Sequence, residues 1–587
     1  MDAIVPPFVP VLLAAVLLPF LGRRTGHALG ALASAAVVPY VWLVSEGVYF
    51  QTQLFGFDAV LFNVDPFSTL MGLIFGFIGA AGVLYSYASD ADNLQTAFAL
   101  GYVGTSLGAV FGGDWLSLVF FWELMAVTST LLVWHYGGKA VRAGFRYALA
   151  HGIGGTLLLG AVVWHYTQPG VDSFLFTGAG LAGDVAPVLA AVGIGVNVGF
   201  IGLHAWLPDT YPRPHIAASV FLCVFTTKTG VYGMYRVFPQ DGNVAVAYMG
   251  GLMAVFGATM ALFQNDMRRL LSYHIQSQVG YMIAGVGIGG ALAQAGAFAH
   301  VFNHILYKGL LFMTAGVVVY RTGEESLKKL GGLAREMPIT AGAFSVAALS
   351  IAGFPGFNGF VSKGIVISAS HYSFEKGPLV LGEFYTLELL LLLGGVGTFM
   401  SFIKFGYYAF FHGSYDGSVK DANRGQSVAM VAVAALCVFY GVFDGALFAI
   451  LPYDVTSEAV VHHVYHTYTV PHIGEGVALA VLGLVGFALV KKPLSGLGRV
   501  PDVDNLYNPA LFYGTRWLVV GVTELYAAVD RVVVRGAAVT AGFVRSPGDA
   551  TGRMLGDERL SLRADYSTSI LLVAVVLAVL VAASVTL

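Results

Sequence analysis

Four charged side chains stand alone in long apolar stretches of this chain: Glu123, Lys228, Lys308 and Lys363. A charge at the middle of a bilayer costs about 2.5–3.5 kcal/mol on insertion scales, so each calls for a use that outweighs the cost. One carboxylate and three amines can pass a proton along, or take up and release a cation, by changing their own charge state. His304 stands one helical turn before Lys308 and can join such a relay. Each group also has a structural reading. Glu123 can hydrogen-bond a neighbouring helix, the His304–Lys308 pair can lock two helices together, and Lys363 can cap carbonyls freed at a helix break. His462, His463 and His466 lie together in one loop. Their i, i+4 spacing suits a metal, but no Cys or carboxylate completes a ligand set, and the loop reads as solvated. Gly-rich phosphate loops, CxxC pairs and a nucleophile elbow are absent from the sequence. The expectation is therefore no metal, no cofactor, and a chain that is not catalytic alone.

The elements that position these groups must be membrane helices. Of 587 residues, 57% are hydrophobic and only 11% charged, against about 25% charged in soluble domains. The net charge of −3 and the lack of a basic patch speak against a nucleic-acid partner. Cys223 and Cys437 sit inside apolar runs and cannot form a disulfide framework. Apolar stretches of about 20 residues lie near 3–22, 28–46, 67–88, 95–112, 115–136, 146–166, 186–207, 216–237, 246–264, 270–291, 297–320, 338–372, 386–412, 427–450, 474–490 and 568–587, sixteen spans in all. The first lacks a basic flank and a small-residue cleavage site, so it reads as a membrane helix and not a signal peptide. Lys and Arg cluster in alternate loops, whereas 47–66, 167–185 and 451–473 contain none. The positive-inside rule then predicts a multi-pass plasma-membrane protein with its N-terminus outside. Asp266 with Arg268 and Arg269 reads as an ion pair at a cytoplasmic helix end.

Two spans are interrupted. GLHAWLPDTYPRP (202–214) ends one with three prolines, and SIAGFPGFNGFVSKG (350–364) breaks another at Pro355. Proline removes a donor and breaks the helical ladder. Unwound backbone at membrane depth survives only where protein or a water cavity satisfies it. The breaks lie five spans apart, and an odd spacing turns the second copy upside down, as in secondary transporters. The expected fold class is an all-α polytopic membrane protein with two inverted five-helix repeats. The expected organisation is N-terminal helices over 1–94, a first repeat over 95–237, a second over 246–412 and a C-terminal region over 413–587. Within the last, Arg516, Glu524, Arg531 and Arg535 share one face of a helix over 508–545, opposite Leu518, Val522, Leu525 and Val529. This is either an amphipathic helix along the cytoplasmic membrane surface or a cytoplasmic helix packed on a partner.

The stretches VDPFSTLM, FWELMA, GLHAWLPDTYP, FTTKTGVYGMYRV, QNDMRRLLSYHIQSQVGY, HVFNHILYKGLLFMTAG, KLGGLAREMP and GFPGFNGFVSK follow one another over about 60–415. In type and order they resemble the antiporter-like subunits shared by Mrp-type cation/proton antiporters, membrane-bound hydrogenases and the membrane arm of complex I. TTKTGVYGMYRV is most similar to the D subunit of the Mrp antiporter, whereas a surface helix followed by a final span resembles the A subunit of that antiporter and the distal subunit of complex I. The resemblance implies that Glu123 stands on the intake side of a proton path and that Lys228 is the central lysine of the first half-channel. It implies that His304 and Lys308 link the halves, that Lys363 serves the exit half-channel, and that His204 is a polar position at the first break. One departure stands out. The family places a lysine seven residues before His204, paired with the glutamate, and here that position is Asn197. Asn cannot take up and store a proton, so Glu123 is left without its cation and the first half-channel is altered, retuned or silent. His151, in the neighbouring span, is the nearest titratable group by sequence. The function implied is an ion-translocating membrane subunit of a multisubunit Na+/H+ antiporter of Mrp type, working with other subunits, protons, monovalent cations and the bilayer. The second reading is a proton-pumping membrane-arm subunit of a complex I-like NADH-quinone oxidoreductase or membrane-bound hydrogenase. A third pairs such a subunit with a soluble partner for inorganic carbon uptake.

Overall fold

The structure, a computed structural model, describes residues 5–374, 379–380, 384–461, 463–496, 500–546 and 573–577. The chain divides into two compact units, Met1–Pro501 and Asp502–Leu587.

The first unit is a bundle of helices. It opens with α1 (Phe8–Leu17) and α2 (Arg23–Leu43), then a hairpin of β1 (Gly47–Leu54) and β2 (Phe57–Val64). There follow α3 (Pro66–Ala88), α4 (Asn93–Phe111), α5 (Trp115–Trp134), α6 (Lys139–Tyr166), α7 (Val185–Val198), α8 (Trp206–Thr210), α9 (Ile216–Leu222) and α10 (Phe225–Val237). The second half holds α11 (Val244–Leu262), α12 (Met267–Ile288), α13 (Gly290–Thr322), α14 (Pro338–Ala352) and α15 (Asn358–Tyr372). A short pairing of β3 (Leu379–Val380) with β4 (Phe384–Tyr385) precedes α16 (Thr386–Gly406), α17 (Arg424–Val442), α18 (Asp444–Phe448) and α19 (Val470–Gly496). The chain is mostly helical as expected, and the hairpin is an element the sequence reading did not foresee. Its turn residues Phe55 (φ 54°) and Gly56 (φ 85°) are both left-handed, the geometry that matches the twist of a two-residue hairpin.

Aspartates cap several helix starts. Asp65, Asp92 and Asp114 each accept the backbone N–H three residues on at 2.8 Å, satisfying a donor the helix cannot. Asp266 does the same for Arg269 N at 2.9 Å. That corrects its reading as an ion pair with its neighbours: Arg268 bonds Glu325 instead, and Arg269 stands 3.7 Å from Asp209. The 33-residue α13 runs through the core, buried along nearly its whole length, with α12, α14, α15 and α17 around it. Gly250, Gly257, Gly280 and Gly287 let α11 and α12 touch backbone to backbone, since a Cβ at any of them would strike the other helix.

Among the described residues, eleven helices are long and apolar enough to cross a membrane. Of the other expected spans, 3–22 yields the short apolar Phe8–Phe20, and 186–207 and 338–372 yield the short Val185–Val198 and Pro338–Ala352 before their breaks. The 270–291 stretch is the buried but polar-rich α12. Most of 568–587 lies outside the described residues.

Both expected breaks are present, with a common geometry. α7 ends at Gly199 (φ 77°) and α14 at Gly353 (φ 84°), both left-handed. In each, the next N–H reaches back five residues, Phe200 to Gly195 O at 2.8 Å and Phe354 to Leu349 O at 3.0 Å, a Schellman closure. Three residues on, Gly202 (φ 95°) and Gly356 (φ 90°) are left-handed again. The first break thus begins at GFIG (199–202) and not at the prolines of 208–214. A third interruption, not expected, separates α9 from α10 at Cys223–Val224.

In the second unit, α20 (Asp504–Arg545) is one continuous helix of 42 residues, starting slightly before the expected 508.

Candidate functional site

Glu123 projects from the middle of α5. It packs against Gly155 of α6, where any Cβ would land inside its carboxylate. No ion pair or hydrogen bond holds Glu123 among the described residues. His151 lies one turn before Gly155 on the same face of α6, fully buried. Its Nδ1 donates to Tyr147 O at 2.9 Å, which leaves Nε2 as an acceptor without a partner. The ring stacks on Tyr147 at 3.9 Å and meets Trp206 edge-on at 4.4 Å. Asn197, at the end of α7, is fully buried with both amide atoms unpaired. It faces Gly230 of α10, two residues past Lys228. His204 is buried inside the first break, where Gly202 N–H reaches its Nδ1 at 3.3 Å.

Lys228 sits just past the unexpected interruption. Its Nζ donates to Cys223 O at 2.5 Å and to Thr227 Oγ1 at 3.0 Å, taking up a carbonyl the interrupted helix leaves open. On the other side of the gap, Thr226 N–H donates to Tyr102 Oη at 2.7 Å. Thr226 Oγ1 also bonds Tyr147 Oη at 2.9 Å, which in turn meets Ser129 Oγ at 2.9 Å. Hydroxyls from α4, α5 and α6 thus form one network around Thr226, two residues before Lys228.

Along α13 a polar stripe runs at helical spacing: His300, Asn303, His304, Tyr307 and Lys308, all fully buried. His304 has no hydrogen-bond partner on either nitrogen, and Lys308 has none on Nζ, which stands 6.0 Å from the rings of Phe312 and Phe402. His300 and His304 ring centres are 6.2 Å apart. His300 Nδ1 lies 3.0 Å from Ser362 Oγ, one residue before Lys363. Lys363 Nζ donates to Ile351 O at 2.8 Å, the carbonyl freed at the second break, and stands 4.7 Å from the Tyr281 ring. Asn303 and Asn358 tie α13 to the restart of the broken helix through Asn303 Nδ2 to Asn358 O at 2.7 Å. No carboxylate pairs with Lys228, Lys308 or Lys363 among the described residues. Three buried amines without counter-ions cannot all be charged at small cost.

Two cavities lie beside Lys363. A small cavity lined by Lys363, Tyr281, His472 and Glu475 adjoins a larger one of about 410 Å³. The larger is walled by His371, Glu388, His463, His466, His472 and Glu475. His371 Nδ1 and Glu388 Oε2 are 2.9 Å apart, and His463 stacks on Tyr372 at 3.7 Å. The histidine loop keeps its solvent contact, with His466 exposed and His463 half-buried, and both line this open cavity, while His462 lies outside the described residues.

This chain is similar to proteins of known kind over the segment that holds most of these groups. Residues 112–381 match the family model described as NADH:quinone oxidoreductase/Mrp antiporter, TM. The D subunit of the Na(+)/H(+) antiporter of Alkalihalophilus pseudofirmus is 30% identical over 371 residues, 60% of this chain and 73% of that one. The chain belongs to the NADH:quinone oxidoreductase/Mrp antiporter family. Within that family, the N subunit of the NADH-quinone oxidoreductase of Desulforudis audaxviator is 30% identical over 61% of this chain and 77% of its own. The fold is also that of a chain in the Mrp complex from Dietzia sp. DQ12-45-1b, with a TM-score of 0.74 at 23% identity over 92% of this chain and 62% of that one. Glu123, Lys228, His304, Lys308 and Lys363 all fall inside the family-matched segment, whereas Glu388, His472 and Glu475 lie beyond it. Sequence reading missed His300, Asn303 and Tyr307, although their i, i+3, i+4 spacing with His304 marks one helix face. It also missed Tyr102 and Thr226, which no local pattern signals.

Proposed function

We propose that this chain is an ion-translocating membrane subunit of a multisubunit monovalent cation (Na+)/H+ antiporter of Mrp type. Protons pass from the Glu123 side through Lys228, His304 and Lys308 to Lys363, and leave by the cavity walled with Glu388 and Glu475. The observation that carries this reading is the row of buried amines and imidazoles without counter-ions, ending at a polar cavity. The likeness to the D subunit of a Na(+)/H(+) antiporter supports sodium as the exchanged cation. The likeness to the N subunit of an NADH-quinone oxidoreductase supports the second reading, a proton-pumping membrane-arm subunit of a complex I-like enzyme.

The finer architecture belongs to the same proposal. The chain crosses the plasma membrane sixteen times with its N-terminus outside, supported by the alternation of basic and base-free loops. The segments 95–237 and 246–412 are inverted copies, supported by the matching glycine closures at Gly199 and Gly353. In that register Asn197 corresponds to Ile351, the residue whose carbonyl Lys363 holds. The helix over 504–545 lies along the cytoplasmic membrane surface, supported by its charged stripe.

The test uses the intact complex in proteoliposomes. Lys228→Ala lowers ion-coupled proton movement at least ~100-fold, the scale of losing a positioned proton-transfer group, while the complex still assembles. Lys228→Arg fails as well, because a guanidinium does not release its proton. Transport at the native rate in either variant refutes the relay. A sodium gradient that moves protons with no electron donor present supports the antiporter; proton movement only with an electron donor and quinone supports the second reading.

A further inference from the structure

On the side of the bundle where α6 begins, five cations surround one cleft of about 290 Å³: Lys139, Arg142, Arg146, Arg213 and Arg269. The only carboxylate in its wall is Asp209, which Arg146 pairs with directly and Arg269 approaches at 3.7 Å. The cleft is assembled from three separate segments. Lys139, Arg142 and Arg146 share one face of the first two turns of α6, Arg213 comes from the turn after α8, and Arg269 from the start of α12. Ordinary positive-inside residues point singly into water, but here Arg269 is drawn in to 15% exposure. The side chains of Lys139, Arg142 and Arg213 make no hydrogen bond or ion pair among the described residues. Asp209 in the wall and Asp266, which acts on Arg213 and Arg269 from the start of α12, cannot balance five cations, so the cleft attracts a further anion.

A second observation identifies the kind of anion. From the rim of the cleft, α6 carries Val141, Phe145, Leu149 and Ile153 at four-residue spacing, each about half exposed or more. Tyr136, also exposed, lies three residues before the start of α6, where an aromatic ring suits the boundary between headgroups and hydrocarbon. A cationic cleft at the end of a lipid-width apolar stripe is complementary to a molecule with an anionic head and apolar tails. We propose that the cleft binds the phosphate headgroup of an anionic phospholipid, whose acyl chains run along the α6 stripe. The phosphate oxygens accept from the guanidinium groups of Arg142 and Arg213, which suit planar two-point recognition, and Lys139 adds a point charge at the rim.

The test is native mass spectrometry of the purified complex titrated with phosphatidylglycerol, with phosphatidylcholine and with inorganic phosphate. The wild type should bind phosphatidylglycerol at least ~10-fold more tightly than phosphatidylcholine, since each surface cation is worth about fivefold in affinity for an anionic lipid. The double variant Lys139→Gln/Arg142→Gln removes two unpartnered side chains and should weaken phosphatidylglycerol roughly 30-fold. Lys139→Arg should retain binding, and Arg213→Gln alone should cost about fivefold, which keeps the test open if the double variant fails to assemble. Equal affinity for the two lipids overturns the proposal, as does a double variant that binds like the wild type. So does inorganic phosphate binding as tightly as phosphatidylglycerol, which would make this a free-anion site. A cross-link from Lys139 to a carboxylate of a neighbouring protein chain in the intact complex would equally overturn it, replacing lipid with protein. None of these readouts uses transport, so the cleft and the ion path stand or fall separately.

Discussion

The two helix breaks share a backbone device and differ in what holds it. At the first, the freed carbonyls go to neutral donors: Trp206 Nε1 to Val196 O at 2.9 Å and Gln276 Nε2 to Gly199 O at 2.9 Å. At the second, Ile351 O goes to the amine of Lys363. A tryptophan or glutamine donor is permanent, whereas an amine changes charge as it gains or loses a proton. The surroundings differ in the same sense. Asn197 and Glu123 stand near the first break without partners, while His300, Ser362, Asn303 and Asn358 form bonded contacts around the second. One geometry is thus closed by permanent neutral donors in one half and by a titratable amine in the other.

That contrast is sharpest at Lys363. Lys363→Gln keeps a donor for Ile351 O but cannot carry a proton, and transport in proteoliposomes should fall at least ~100-fold with assembly intact. A Gln variant that transports normally would reduce the lysine to a cap and erase the difference between the halves. Lys363→Ala should add a stability loss of about 1–3 kcal/mol from the orphaned carbonyl, read as a lowered melting temperature of the complex.

The next effect concerns the first half. Asn197→Lys puts an amine within the space that family resemblance assigns to a partner of Glu123. A double-mutant cycle of Asn197→Lys with Glu123→Gln, read in transport rate, should show coupling of about 1 kcal/mol or more, the scale for residues in contact. Zero coupling would mean that Glu123 works without position 197 and would point to His151. Gly155→Ala should destabilise the protein by about 1–3 kcal/mol, because the new methyl overlaps the Glu123 carboxylate. The loss should shrink in a Glu123→Ala background, and an equal loss in both backgrounds would place the clash elsewhere.

The smallest effect tests the likeness itself. Gly199→Ala and Gly353→Ala each force a methyl into a left-handed residue and should cost a similar ~1–2 kcal/mol in thermal melts. Clearly unequal costs would mean that the two closures only look alike.

Much of this was legible in the sequence because glycine, proline and isolated charges act locally. GFPG marks its own break, and Lys228, Lys308 and Lys363 announce themselves against apolar neighbours. The interruption at Cys223–Val224 has no glycine or proline within it and depends on Tyr102, more than a hundred residues away, so no local pattern could signal it. The outer cavity gathers residues from α15, α16, α19 and the 463–469 segment, and only folding puts Glu388 beside His371. The β1–β2 hairpin was hidden for another reason: the lack of Lys and Arg over 47–66 marks a loop, and its turn at Phe55–Gly56 carries none of the usual Asn-Gly or Asp-Gly signals. Asn197 could be read as a departure only through family resemblance, since in isolation an asparagine in an apolar run says nothing about a missing amine.

The bond from Thr226 N–H to Tyr102 also bears on the order in which the chain is made. Residues leave the ribosome N-terminus first, so Tyr102, Ser129 and Tyr147 precede Thr226 into the bilayer. The unwound turn at Cys223–Val224 therefore arrives with its substitute partners already in place, and its backbone need not wait unpaired in hydrocarbon. A circular permutant that begins between α6 and α7 would reverse this schedule and deliver the turn before its partners. Stalling or degradation of that permutant during synthesis would then measure what the native order saves.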